Sequence, residues 1–135
     1  VVLPVENFNL PFQFTNAGHH AALLWRCADN SIEKLDSPGL FIGISEEGRY
    51  ETRSTKIRPG DRILFFTDGI IEARNAGGEF FEYGRLEEYI RTHSDLMPVD
   101  FVNGLVSTVE AFCGEKPADD DRALLYVEYV GEVMP

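Results

Sequence analysis

Asp68 and the run Asp119–Asp121 are the side chains of this sequence best placed to do chemistry. Asp68 ends the apolar run of "ILFFTDGIIEARN" (63–75), and "DDD" precedes the apolar segment "RALLYVEYV" (122–130). One acid thus sits at the carboxyl end of a strand candidate and the others at the amino end of another. If the two strands are antiparallel neighbours, those ends share one edge of the sheet. Asp68 and Asp120 then converge although 52 positions separate them. Converging carboxylates repel unless a cation lies between them or one keeps its proton. A hard divalent ion, Mg²⁺ or Mn²⁺, is the simplest resolution, because both prefer oxygen ligands and retain waters. Gly69 fits that picture, since backbone without a Cβ passes close to an ion and its water shell. The plain alternatives are that Asp68-Gly69 is a turn and that "DDD" is a solvated loop.

The elements that must position these acids follow from periodicity. "FNLPFQFTN" (8–16) alternates apolar and polar residues as a half-buried strand does, and "AALLWRCA" (21–28) reads as its hairpin partner across the "NAGHH" turn. "SIEKL" is a short strand, "DSPGLFIGISEEG" a glycine-punctuated loop, and "RYETRSTKI" (49–57) a further strand. "RPGD" (58–61) marks a turn, and "RILFFT" (62–67) is a strand covered on both faces. Helical spacing then takes over in "YGRLEEYIRTH" (83–93) and in "PVDFVNGLVSTVEAFC" (98–113), with Pro98 in the first turn of the latter. "GEKPADDD" (114–121) is a loop before the closing strand. Strands, two helices, then a strand define a mainly antiparallel α+β fold.

The bulk composition narrows the function. The 135 residues (15.2 kDa) fit one domain, and 44% hydrophobic with 12% aromatic content supports a packed core. A formal net charge of −11 argues against nucleic acid or an anionic membrane as partner, since both require a cationic face. No apolar run is long enough for a transmembrane helix, and "VVLPVENFNLP" is not a signal peptide, so a cytoplasmic location is expected. Cys27 and Cys113 match no metal or redox spacing and read as two free buried thiols.

Four segments in register, "NAGHHAALL" (16–24), "LFIGI" (40–44), "IRPGDRILFFTDGIIEARN" (57–75) and "DDDRALLYV" (119–127), resemble the C-terminal part of the SpoIIE-like serine phosphatases. These form the bacterial branch of the metal-dependent type 2C (PPM) protein phosphatases. The resemblance spans about Asn16 to Val130 and implies a β-sandwich flanked by helices, with a two-metal Mn²⁺ or Mg²⁺ site at one end. It implies that Asp68 and Asp120 are metal ligands. Gly69, Asp121, Asn16, Gly18 and Arg74 would support them, and Asp119 is one more acid than the pattern needs. His19, in the family's "NAGH" turn, is a weak ligand, a proton donor to the leaving seryl oxygen, or a residue that locks the turn. Glu72 and Arg74 brace the loop behind Asp68, with Arg74 also able to approach phosphate. His20 is expected exposed, and His93 serves a helix end.

The resemblance further implies hydrolysis of phosphoserine or phosphothreonine on a regulatory protein, such as a STAS-type anti-sigma-factor antagonist, with a sensor or response-regulator domain upstream. Two departures qualify it. Ala123 stands where the family has Thr or Ser, which removes a hydroxyl near the site. Residues 1–15 also contain no counterpart of the family's bridging Asp, so the chain reads as the C-terminal portion of the domain. Two carboxylates without a bridging third hold a divalent ion weakly, so this chain alone is expected to be nearly inactive. Uncovered sheet surface would favour a homodimer. The rival reading is a non-catalytic phosphatase-fold module that binds a signalling partner.

Overall fold

The computed structural model describes residues 11–115 and 120–131. Asp119, and the start of the strand expected from residue 8, lie outside them. Within them run β1 (Phe12–Phe14), β2 (Ala22–Trp25), β3 (Ile32–Leu35), β4 (Arg53–Thr55), β5 (Arg62–Phe66), α1 (Asp68–Ile71), α2 (Glu82–Thr92), α3 (Pro98–Cys113) and β6 (Leu124–Glu128). Four strands form an antiparallel sheet in the order β3-β2-β5-β6, and β1 pairs antiparallel with β4 in a second, two-stranded sheet. The α+β, mainly antiparallel reading therefore holds.

Period-two alternation sorts the four-stranded sheet into two cores. Leu23 and Trp25 of β2, Leu64 and Phe66 of β5 and Tyr126 of β6 face the helices, where Leu86 and Ile90 of α2 and Phe101, Leu105 and Val109 of α3 are buried against them. The opposite face carries Ala22, Leu24, Leu35 and Ile63, covered by Phe12 and Phe14 of β1. β5 is thus apolar on both faces because both are roofed, as its near-continuous apolar run requires. α3 buries Phe101, Leu105, Val109 and Cys113, spaced four apart along one stripe. Phe101 stacks on Tyr126 at 3.9 Å between ring centroids, and burying such a ring contributes roughly 2–3 kcal/mol.

The order of strands corrects one expectation. β2 is not the hairpin partner of β1: it pairs with β3 (Leu24 opposite Glu33) and with β5 (Leu24 opposite Ile63), whereas Phe12 of β1 faces Thr55 of β4. The cause is the turn between them. The Asn16 side chain accepts a hydrogen bond from His19 N (2.8 Å) and donates to the His19 carbonyl (2.6 Å), closing a turn that passes the chain from one layer to the other. Phe12 and Phe14 then lie over β2 instead of beside it, where apolar burial exceeds what a hairpin edge would give. Gly18 takes a φ of 83° in that turn, and a Cβ there would meet the Phe41 ring at 2.8 Å. The thiols need correcting as well: Cys113 is buried but Cys27 is exposed, in the turn that follows β2. Among the described residues no helix is long and apolar enough to cross a membrane.

Candidate metal and active site

β5 and β6 pair antiparallel from Arg62 opposite Glu128 to Phe66 opposite Leu124, so the carboxyl end of β5 meets the amino end of β6. The ladder continues one step further, with Thr67 N donating to the Ala123 carbonyl at 3.1 Å. Beyond it the Thr67 hydroxyl acts in both directions. It accepts from Ala123 N (2.9 Å) and donates to the Asp121 carbonyl (2.9 Å), which pins the segment leading into β6 against the tip of β5. The two backbones also approach closely at Gly69, where an added Cβ would fall well under 3.0 Å from the Asp121 carbonyl oxygen. Arg122 closes the contact from the other side, its Nε donating to the Gly69 carbonyl (3.1 Å) and its Nη2 to Cys113 Sγ (3.3 Å).

Asp68 and Asp120 each precede one member of the Gly69–Asp121 contact by a single residue, which brings both acids to the same sheet end. Asp68 opens α1, a one-turn helix whose apolar Ile70 and Ile71 sink into the core and leave the acid half-buried at the rim. Its Oδ1 accepts only the neighbouring Gly69 N (3.1 Å) among the hydrogen bonds of the described residues. Asp120 is exposed, and its Oδ1 accepts from Asp121 N at 2.7 Å. Both carboxylates therefore retain free lone pairs. These are hard oxygen donors of the kind Mg²⁺ and Mn²⁺ select, but among the described residues no three His, Cys, Asp or Glu side chains group closely enough to hold a metal ion. The chain presents part of a donor set.

The remaining candidates fall into two groups. β2 starts where β5 ends, so the Asn16–His20 turn feeding it lies at the same end of the sheet as Asp68. There Asn16, His19 and His20 rim a groove of about 170 Å³, floored between the two sheets by Phe12, Phe14, Leu35 and Phe65. His19 Nδ1 lies 3.0 Å from the His20 carbonyl, which can only accept, so Nδ1 carries the proton and Nε2 is the free nitrogen. The turn itself is held by Asn16 and not by the His19 ring. Arg74 does not join this rim through any contact of the described residues. Its guanidinium lies 4.4 Å from the Phe80 ring centre, and its backbone bridges to Phe80, bracing the loop that follows α1. Glu72 is exposed, its N donating to the Asp68 carbonyl at 2.8 Å. His93 stacks on Tyr89 at the end of α2, with Nδ1 3.1 Å from the Tyr89 carbonyl. Two positioning residues escaped the sequence reading, Thr67 and Arg122. Their only signal was adjacency: a hydroxyl immediately before Asp68 and a guanidinium immediately after the acids.

The two-layer sheet, with helices packed on one face here, has the fold of solved PP2C-type phosphatase domains. The chain resembles the RsbU and RsbW domains of Rv1364c from Mycobacterium tuberculosis, with a TM-score of 0.70 and 27% identity, covering 87% of this chain and 32% of that one. It also resembles the phosphatase domain of SpoIIE from Bacillus subtilis, taken from a Mn-presoaked crystal, with a TM-score of 0.69, 16% identity and coverage of 91% and 52%. Residues 9–130 match the family of stage II sporulation protein E (SpoIIE), and the chain belongs to that family. Among its relatives is the phosphoserine phosphatase RsbU of Bacillus subtilis, 32% identical over 90 residues, which are 64% of this chain and 27% of RsbU. The chain thus spans about a quarter of that protein's length.

Proposed function

We propose that this chain supplies one side of the active site of a metal-dependent protein serine/threonine phosphatase, with Asp68 and Asp120 as its contribution to a Mn²⁺ or Mg²⁺ centre. The observation that carries the reading is the Thr67 clamp. A hydroxyl bonded to both Asp121 and Ala123 fixes two chain-distant acids at one rim, with acceptor capacity left open. A bound divalent pair would supply a water of lowered pKa for attack on a phosphoryl group. The chain's own residues do the positioning. Thr67 and Arg122 hold the β6 lead-in, Gly69 keeps the approach free of side chain, and Asp121 acts through its carbonyl. His19 lines the inter-layer groove, and its imidazole is the candidate proton donor to the departing seryl oxygen. The substrate class that follows is a phosphoserine or phosphothreonine of a regulatory protein, the chemistry that the name of RsbU carries.

A Mn²⁺ titration of this chain, followed by calorimetry and by melting temperature, tests the assignment. The expected result is weak binding that raises the melting temperature and is lost in Asp68→Asn and in Asp120→Asn. Binding unchanged in both variants would overturn the ligand assignment. Hydrolysis of a phosphoserine peptide by the 135-residue chain alone should be barely measurable, because two carboxylates make a weak site. A rate that is Mn²⁺-dependent and lost in Asp68→Ala would overturn that expectation. The second reading, a non-catalytic module of the same fold, is favoured by the absence of a third ligating side chain among the described residues and by Ala123. No Mn²⁺ binding at any concentration would select it.

A further inference from the structure

Where the end of α1 meets the start of α2 lies an open cavity of about 390 Å³ lined by Ile71, Glu72, Phe80, Glu82, Tyr83 and Gly84. We infer that this cavity is a specificity pocket for a cationic side chain, arginine above all, of the phosphoprotein whose phosphoserine reaches Asp68. The inference rests on the phosphatase reading and adds to it the sequence class of the substrate.

The chemistry of the walls sets the occupant. Phe80, Tyr83 and Ile71 form an apolar and aromatic wall, and Glu72 and Glu82 contribute two carboxylates. A planar guanidinium satisfies both at once, stacking on a ring while its N–H groups meet a carboxylate. Both rings already attract cations of this chain: Lys34 Nζ lies 4.1 Å from the Tyr83 ring centre and Arg74 Cζ 4.4 Å from that of Phe80. Among the described residues none of the nearby cations pairs with Glu72 or Glu82. Arg85 donates to the Phe80 and Phe81 carbonyls, Arg74 lies over Phe80, and Lys34 pairs with Glu87. Neither Glu72 nor Glu82 appears in any ion pair of the described residues. Both carboxylates are exposed and, among the described residues, have no ion-pair partner, in a chain whose net charge is −11.

Distance gives the register. Glu72, the residue that caps α1, follows Asp68 by four positions, roughly 6 Å along the axis, and its side chain extends further. An extended peptide advances about 3.3 Å per residue, so the cation belongs two or three residues from the phosphoserine.

The test measures binding of fluorescent peptides to this chain in Mn²⁺ by anisotropy. The set holds a phosphoserine peptide with arginine two or three residues away, its alanine counterpart, and the unphosphorylated forms of both. The arginine phosphopeptide should bind about tenfold tighter than the alanine one. Glu72→Gln with Glu82→Gln, both exposed positions, should abolish that ratio and leave the alanine phosphopeptide unchanged. Lysines at both positions should reverse the preference toward an aspartate peptide, a gain that misfolding cannot produce. Equal binding of the arginine and alanine phosphopeptides would overturn the pocket and leave the phosphatase reading standing. An arginine preference with no affinity gained from the phosphate, in the parent or in Asp68→Asn, would support the pocket and overturn the phosphatase reading.

Discussion

Gly69→Ala puts the geometry of the rim at risk in a way whose sign can be worked out beforehand. Gly69 sits in α1 without a left-handed φ, so alanine is conformationally acceptable there. In open space the change would stabilise the chain by about 0.5–1 kcal/mol, through lower unfolded-state entropy and better helix propensity. The space is not open. The new methyl would meet the Asp121 carbonyl carbon at 3.0 Å and its oxygen closer still, with Arg122 Cγ at 3.3 Å. Ordinary contact begins at 3.4 Å, so the β6 lead-in must shift by more than about 0.4 Å. It cannot do so freely, because the Thr67 hydroxyl holds the Asp121 carbonyl and the Arg122 guanidinium holds the Gly69 carbonyl. Overpacking against such a restraint costs about 1–3 kcal/mol. The net expectation is a loss of about 1–2 kcal/mol, with Asp120 displaced from Asp68.

Urea unfolding followed by tryptophan fluorescence measures the first effect, since Trp25 is buried in the helix-facing core. Mn²⁺ calorimetry measures the second. A Gly69→Ala chain at least as stable as the parent, with the same metal affinity, would refute the close approach and the convergence built on it.

Three further outcomes follow from the same structure. Thr67→Val keeps the shape but leaves the Asp121 carbonyl and Ala123 N without the hydroxyl; it should cost about 1–2 kcal/mol in urea unfolding and weaken Mn²⁺ binding, whereas Thr67→Ser should restore both. Asp61→Ala should cost about 3 kcal/mol by the same measurement, because it takes one ion-pair partner from Arg26 and leaves two backbone N–H groups unmet around a buried position. Alkaline pH should destabilise the fold. Burial raises the phenols of Tyr83, Tyr89 and Tyr126 above their ordinary value of 10.0, so the unfolded chain ionises first. The stability they hold is complete below pH 10 and is lost as pH rises through the folded values, which urea midpoints at pH 8 and pH 10.5 will show.

What the sequence made legible tracks where local pattern and global fold agree. α3 is readable to its ends because Pro98 starts it, Gly114 follows it and its apolar stripe never breaks. β5 is readable as a doubly covered strand because apolar residues fill both its faces. The partner of β1 is not, since alternation in 12–14 shows which residues turn inward but not which layer they belong to. Only the Asn16 bridges across the turn decide that. The meeting of Asp68 with the acids before β6 needed one assumption beyond pattern, the adjacency of β5 and β6, and the ladder from Arg62 to Phe66 supplies it. Thr67 and Arg122 stayed hidden because their roles consist of contacts with residues more than 50 positions away.

The two aspartates that flank β5 show how one side chain is put to opposite uses. Asp61, before the strand, is buried and surrounded by donors: Arg26 Nη1 at 3.1 Å, Cys27 N at 3.1 Å and Arg58 N at 2.9 Å. Arg26 in turn bonds Glu33, the Thr55 hydroxyl and the Lys56 carbonyl, so the charge is matched within a closed network that ties β2, β3 and β4 to the turn before β5. A carboxylate so satisfied has nothing left to offer a ligand. Asp68, at the other end of the same strand, accepts a single bond among the described residues, from its own neighbour, and the Thr67 clamp holds the segment carrying Asp120 and Asp121 at the same sheet end. Among the described residues the Asp68 carboxylate makes no ion pair and takes one backbone hydrogen bond, so its charge contributes little to the fold. A strand that satisfies the acid at one tip and leaves acceptors open on the acid at the other has the arrangement that the proposed metal site requires. For that reason Asp68→Asn should leave the metal-free chain as stable as the parent or slightly more so, while removing the stabilisation that Mn²⁺ brings.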